Sequence, residues 1–185
     1  MSILKVNTIQ DKGGNNLLVS DGAGTITSNN IGIGEADSWR VTTSFANAAN
    51  GTSERVTSNW ERCDTSFEKI GTGLSESSGI FTFPSTGIYE ITSIANIYSS
   101  NDIAYVRLNH MVTTDNGSNY NNQAEFNGHT HSGKYYSSTA ISLFDVTDVS
   151  THKIKFQVRH PNDLGVQANT STTMTTFFFK KLGDT

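Results

Sequence analysis

Cysteine is nearly absent from this sequence: Cys63 is the only one in 185 residues. One thiol cannot build a disulfide framework or a thiolate metal cage within a chain, so packing and strand pairing must hold the fold. Charge is scarce too, at 16% of residues against roughly 25% in an average globular protein. The 13 basic and 17 acidic residues leave a net charge of -4, spread along the chain. No basic stripe is left to neutralise a phosphate backbone, which argues against nucleic acid as a partner. Long apolar runs are missing as well. Nothing approaches the ~18 residues of a membrane-spanning helix, and Met1-Ser2-Ile3-Leu4-Lys5 lacks the basic-then-apolar order of a signal peptide. The expectation is a soluble chain made in a cytoplasm, with no membrane insertion.

What fills the sequence instead is neutral and polar. Asn, Ser, Thr and Gly make up 80 of the 185 residues, the chemistry of turns and strands, since Asn and Gly accept left-handed backbone angles and Thr suits the pleat. An all-β fold follows. Residues 1–35 read as a separate segment: a short strand over Ile3 to Ile9, a turn at Lys12-Gly13-Gly14-Asn15-Asn16, then a hairpin joining Leu17-Leu18-Val19 to Gly24 through Thr27. Its apolar residues are too few for a core of its own. Ile3, Leu4, Val6, Ile9, Leu17 and Leu18 are therefore expected to dock against other chains. The plainer alternative is a loose terminal tail.

From residue 36 to 185 short strand-like runs recur between turn dipeptides, Asn50-Gly51, Asn116-Gly117 and Asn127-Gly128, the spacing of an antiparallel sandwich. Between Lys153 and His160, Ile154, Phe156 and Val158 alternate with Lys155, Gln157 and Arg159, giving one apolar and one wet face. Thr175 to Leu182 does not alternate. Phe177, Phe178 and Phe179 point to both sides of a strand, which predicts a partner over one side, and these three with Phe144 are the expected trimer interface. A central strand covered on both sides within one chain is the alternative.

The run Gly79-Ile80-Phe81-Thr82-Phe83-Pro84-Ser85-Thr86-Gly87-Ile88-Tyr89-Glu90-Ile91 resembles the glycine, phenylalanine, proline, glycine, tyrosine signature of complement-type globular heads, which share the jelly roll of the tumour necrosis factor family. Phe81 and Phe83 would close one strand in the core, Pro84 and Gly87 reverse the chain, and Tyr89 open the next strand. Phe67 stands where that family has a core aromatic, while Ile91 stands where it has another and departs from the pattern. Val106 to Asn109, Ser142 to Val146, Lys153 to Val158 and Thr176 to Leu182 are similar to its later strands. The resemblance, over roughly residues 37–183, implies a homotrimeric antiparallel jelly-roll head. Separately, Ser2 to Asp11 followed by Leu17 to Thr27 resembles the opening of many fibre proteins of aquatic bacteriophages. That likeness implies a virion protein whose N-terminal segment docks to other phage structural proteins while the head faces outward.

No nucleophile elbow, zinc-protease helix, P-loop or dinucleotide fingerprint is present, so the expectation is a protein without catalysis. Scattered carboxylates such as Asp102, Asp115, Glu125 and Asp145 keep a glycan-degrading tailspike as an alternative, because two converging carboxyl groups leave no short signature. His129-Thr130-His131 puts two imidazoles on one side of a strand, and three chains could present six to an axial first-row metal ion, a device the phage resemblance implies. The plainer reading is two exposed loop residues. Asp115-Asn116-Gly117-Ser118-Asn119-Tyr120 offers oxygen ligands for calcium or a sugar hydroxyl, although such turns are usually only solvated. No cofactor is required by any motif. Asp115, Asn119, Tyr120, Tyr135 and Tyr136 are the candidate contacts to a glycan, since a tyrosine ring pairs an apolar face with a hydroxyl. Cys63 reads as a small buried hydrophobe. Together these features predict a trimeric tail fibre or appendage that attaches to a host-surface glycan or protein, with a capsid decoration or neck protein as the runner-up.

Overall fold

A computed structural model of the chain describes residues 6–14, 16–20, 22–23, 26–28, 33–47, 53–64, 67–160 and 164–185. The chain divides into two units, Met1–Gly34 and Glu35–Thr185.

The first unit is a small antiparallel sheet of β1 (Thr8–Gln10), β2 (Asn16–Ser20) and β3 (Ile26–Ser28) in that order. Leu18 pairs with Ile9 on one side and Ser28 on the other. The expected hairpin is thus present, whereas the expected first strand is seen only at its C-terminal end; Ile3 and Leu4 lie outside the described residues. Gly14 makes the first turn at φ +84°, its amide donating to the Asp11 carbonyl, a conformation that costs a glycine nothing. Val6, Ile9 and Leu17 are exposed.

The second unit is a two-sheet sandwich whose described residues contain no helix. Its strands are β4 (Ala36–Val41), β5 (Thr43–Asn47), β6 (Ser53–Arg55), β7 (Trp60–Arg62), β8 (Lys69–Ile70), β9 (Ser75–Ser77), β10 (Ile80–Thr82), β11 (Gly87–Ser99), β12 (Ile103–Thr113), β13 (Asn121–Thr130), β14 (Lys134–Val146), β15 (Lys153–Arg159), β16 (Leu164–Asn169) and β17 (Thr176–Gly183). One sheet runs β5-β16-β11-β17-β4-β7, with β14 along β11 and β8 along β4. The other runs β13-β12-β15-β10-β9, with β6 along β15. Every assigned pairing is antiparallel. β14 matches β11 residue for residue, from Gly87 opposite Val146 to Ser99 opposite Lys134.

Strict alternation explains where the core lies. Along β11 and β15, from Ser138 of β14 and up to Lys180 of β17, every second residue is buried, and these inner faces meet in one cluster built on Phe81, Phe83, Tyr89, Phe144, Phe156, Phe177 and Phe179. Trp60 fits edge-on against Phe81 and Phe177, with ring centroids 4.9 and 4.6 Å apart, and satisfies its indole N–H on the Val56 carbonyl. Under this cluster Asp37 is fully buried. Its carboxylate accepts from Arg62 Nε at 2.9 Å, from the Trp39 indole at 2.9 Å and from the Leu74 amide at 2.7 Å, while the Arg62 guanidinium lies 4.6 Å over Trp39.

The signature loop behaves as its residues predict. Phe81, Phe83 and Tyr89 are buried, and the Tyr89 hydroxyl donates to the Ser85 carbonyl at 3.1 Å, closing the reversal. Gly87 has φ +142°, and a Cβ there would overlap the Lys181 side chain and the Gly183 carbonyl.

Three expectations are corrected. Phe177 and Phe179 are 0% exposed and Phe144 is also buried, all within one chain, so they form the core and not a contact surface. The aromatic strand is a central one: β17 lies between β11 and β4, its inner face covered by the opposite sheet. Phe178 alone turns outward, half-buried beside Phe67, which is itself exposed on that side and not a core aromatic. Finally, Asn127-Gly128 is no turn but the middle of β13; a Cβ at Gly128 would overlap the Tyr136 ring, so close approach explains this glycine. Asn116-Gly117 is a turn, both residues at positive φ. Asn50-Gly51 lies outside the described residues.

Candidate functional site

The outward sides of the two sheets differ in chemistry. On β14 the residues that alternate with the core set include Ile141 and Leu143, exposed by 63% and 54%, and on β11 they include Ile88 and Ile94. Register places them together: Leu143 is opposite Glu90, Ile141 opposite Thr92, and Thr92 opposite Phe178. Tyr135, 67% exposed, continues the line at the far end beside Tyr98, ring centroids 5.0 Å apart. Glu90 and Lys180 pair at 2.7 Å across the same surface.

Only part of this sheet is covered by its own chain. Beyond β17, side chains that follow β7 lie over it. Arg40 is 3% exposed, held by Glu61 at 2.9 Å and Asp64 at 2.7 Å, and Ser38 donates to the Cys63 sulfur at 3.3 Å. Phe67 sits against Phe178. Cys63 is therefore a buried small side chain, as expected. Over β11 and β14 none of the described residues of the second unit provides such a cover.

The outward side of the second sheet is wet. Lys153, Lys155, Gln157 and Arg159 alternate with the buried residues of β15. On β13, Glu125 accepts from the side-chain amides of Asn109 at 2.8 Å, Asn127 at 3.0 Å and Asn122 at 3.3 Å, with Arg107 alongside. These donors, Asn109 first, hold its carboxyl below the usual range.

The expected binding residues do not converge. Asp115 and Asn119 stand in the β12–β13 loop, where Asp115 accepts from Thr113 Oγ1 at 2.6 Å, the Asn119 amide at 2.9 Å and Asn119 Nδ2 at 2.7 Å. Those bonds, the Thr113 hydroxyl first, lower its pKa to about 2 and commit its oxygens to shaping the turn. Tyr120 carries Lys155 Nζ 3.6 Å over its ring, which closes that face to a sugar. Tyr136 lies against Phe126 and Gly128, and burial pushes its phenol up. Of the three tyrosines only Tyr135 keeps an open ring, and it stands at the opposite end from Asp115.

His129 and His131 do share a side, their ring centroids 5.7 Å apart at the end of β13. His131 Nδ1 lies 3.5 Å from Asp102, whose carboxylate accepts from the Ser132 amide at 2.8 Å. Among the described residues of one chain no three His, Cys, Asp or Glu side chains are grouped to hold a metal ion. Of the four carboxylates, Asp102 and Asp115 mark opposite ends of β12, and Glu125 is engaged by asparagines. The surface residues that sequence reasoning missed are Ile88, Ile94, Ile141 and Leu143.

The strand order and the buried inner faces define an antiparallel jelly roll of the tumour necrosis factor type. Comparison with solved structures gives the same fold. Murine APRIL, crystallised at pH 8.5, is matched over 80% of this chain and 98% of its own, with TM-score 0.55 and 14% identity. The Eiger TNF of S. frugiperda is matched over 81% of this chain and 93% of its own, with TM-score 0.59 and 12% identity. At such identities the likeness is one of fold. No family model matches the chain, and no curated protein does.

Proposed function

We propose that this protein is a structural component of a bacteriophage particle, a homotrimeric tail fibre or appendage without catalytic activity, whose head attaches to a glycan or protein on the host surface. The observation that carries the trimeric part of this reading is the uncovered apolar strip of Ile88, Ile94, Ile141 and Leu143 beside a covered half of the same sheet, while the virion part rests on the resemblance of residues 2–27 to phage fibre openings. Exposed aliphatic side chains in register on neighbouring strands are the composition of an interface core and not of a solvated face. A second and third copy supply the cover. Three heads then present the wet sheets and end loops in a repeated array, where weak contacts multiply into firm attachment. An axial first-row metal shared by His129 and His131 of three chains belongs to the same proposal, and elemental analysis of the purified assembly tests it.

The N-terminal unit supports docking in the same way. A sheet of three short strands with Val6, Ile9 and Leu17 exposed has too little core to stand alone, so a neighbouring chain is needed to bury it.

Three measurements test the function. Purified head added to host cells should compete with phage adsorption, and undiminished adsorption at saturating head would count against a receptor-binding role. Cryo-microscopy of the particle should place the chain on the tail; a position on the capsid surface would make it a decoration protein. Release of oligosaccharide from host polysaccharide would overturn the non-enzymatic reading.

A further inference from the structure

His110 lies in the middle of β12 and is 0% exposed. Its side chain enters the space between the sheets, where Nε2 is 2.6 Å from Ser93 Oγ of β11 and Nδ1 is 2.7 Å from Ser142 Oγ of β14. Both ring nitrogens are thus engaged by two strands of the opposite sheet. In the neutral imidazole one nitrogen donates and the other accepts, and a serine hydroxyl can take either complementary role. This is a buried polar crosslink between the two sheets.

The inner faces of the strands around it carry no charge to balance a positive one. On its own sheet the neighbours in register are Ala124 of β13 and Phe156 of β15, the latter presenting its ring at 5.2 Å. The core-facing residues of β11 are Gly87, Tyr89, Ile91, Ser93, Ala95, Ile97 and Ser99, and those of β14 between Tyr136 and Val146 are Ser138, Ala140, Ser142 and Phe144. None is an Asp, Glu, Lys or Arg. The titratable groups on this side are Tyr89 and Tyr136, whose phenols burial pushes up and which are neutral in acid; the buried His160, which follows β15; the buried His152, stacked on Phe144 of β14; and, on β4, Asp37, whose carboxylate is paired with Arg62. Glu125, Arg107, Lys153 and Lys155 project from the same strands on their outward side. Burial accordingly lowers the His110 pKa to about 4, against an ordinary 6.5.

We propose that His110 is an acid-released latch between the two sheets: a proton on its ring, unbalanced by any charge on the inner faces of β11, β13, β14 and β15, favours separation of β12 from β11 and β14 and loosens the edge strand β14. The ring cation could still donate to both serine oxygens, so the penalty comes from burying an unpaired charge and not from lost geometry. Because the folded-state pKa is depressed, opening is favoured as pH falls from about 6.5 toward 4, and the effect is absent above that window.

The unfolding constant in urea, measured against pH on the full chain and on His110→Gln, tests this. The ratio of wild-type to variant constants should climb about tenfold per pH unit through the window, a few hundredfold in all. A second measurement follows the His110 ring nitrogens by NMR, which should stay in one neutral tautomer until the pH nears 4. A ratio that does not change with pH would overturn the latch. So would a ring that titrates at the ordinary histidine value, and this readout decides alone if the glutamine variant does not fold.

Discussion

The two sheets of the head bury inner faces of the same kind and turn opposite faces outward. From β15, lysine, glutamine and arginine alternate with the core, and two strands along, on β13, Glu125 accepts from three asparagine side-chain amides. From β11 and β14, Ile88, Ile94, Ile141 and Leu143 alternate with the same core, set among Glu90, Thr92, Thr139 and Asp145. Inner-face burial therefore makes the sandwich, whereas the outer faces decide what it meets. On the proposed reading the drier face meets a copy of the chain, and the wet one stands in solvent while carrying polar contacts.

The sharpest way to break that contrast is to make the dry face wet. Ile141→Asp with Leu143→Asp sets charges in the middle of the proposed contact and should leave a folded monomer by light scattering and circular dichroism, while Gln157→Asp on the other sheet should leave assembly unchanged. Assembly that survives the double change would place the interface elsewhere. The shared inner face responds to Phe177→Ala, which empties a ring-sized space beside Trp60 and Phe156 and should cost roughly 3–5 kcal/mol in urea unfolding.

Smaller effects come from the polar inserts in that core. Arg62→Ala leaves the buried Asp37 carboxylate without its ion partner and should cost about 3 kcal/mol, measured the same way. Gly128→Ala pushes Tyr136 off its seat between the edge strands, at about 1–3 kcal/mol. Tyr136→Phe in that background should recover part of the loss, because the hydroxyl is the group nearest the new methyl. An unchanged loss would mean that β13 itself, and not Tyr136, cannot accommodate a side chain there.

The fold was legible because alternation and turn chemistry are local. Phe81, Phe83 and Tyr89 announced the reversal around Pro84, and Ile154, Phe156 and Val158 announced a strand with one wet side. The contact surface was misread because three consecutive phenylalanines suggest two-sided burial, and only the sheet order shows that β17 is central. A usable signal was present in Ala140-Ile141-Ser142-Leu143-Phe144: once Phe144 is given to the core, period two sends Ile141 and Leu143 outward. Gly128 looked like a turn because its requirement comes from Tyr136, eight positions away and on the next strand. The His110 latch was illegible for the same reason, since Ser93 and Ser142 reach it from strands far off in sequence.

The molar mass of the full chain in dilute neutral buffer, by light scattering, tests the central claim most directly. Self-association through the β11–β14 face predicts three times the 20.1 kDa of one chain. A single species at 20.1 kDa would contradict it, because the exposed isoleucines and leucine would then be stable in water without a partner.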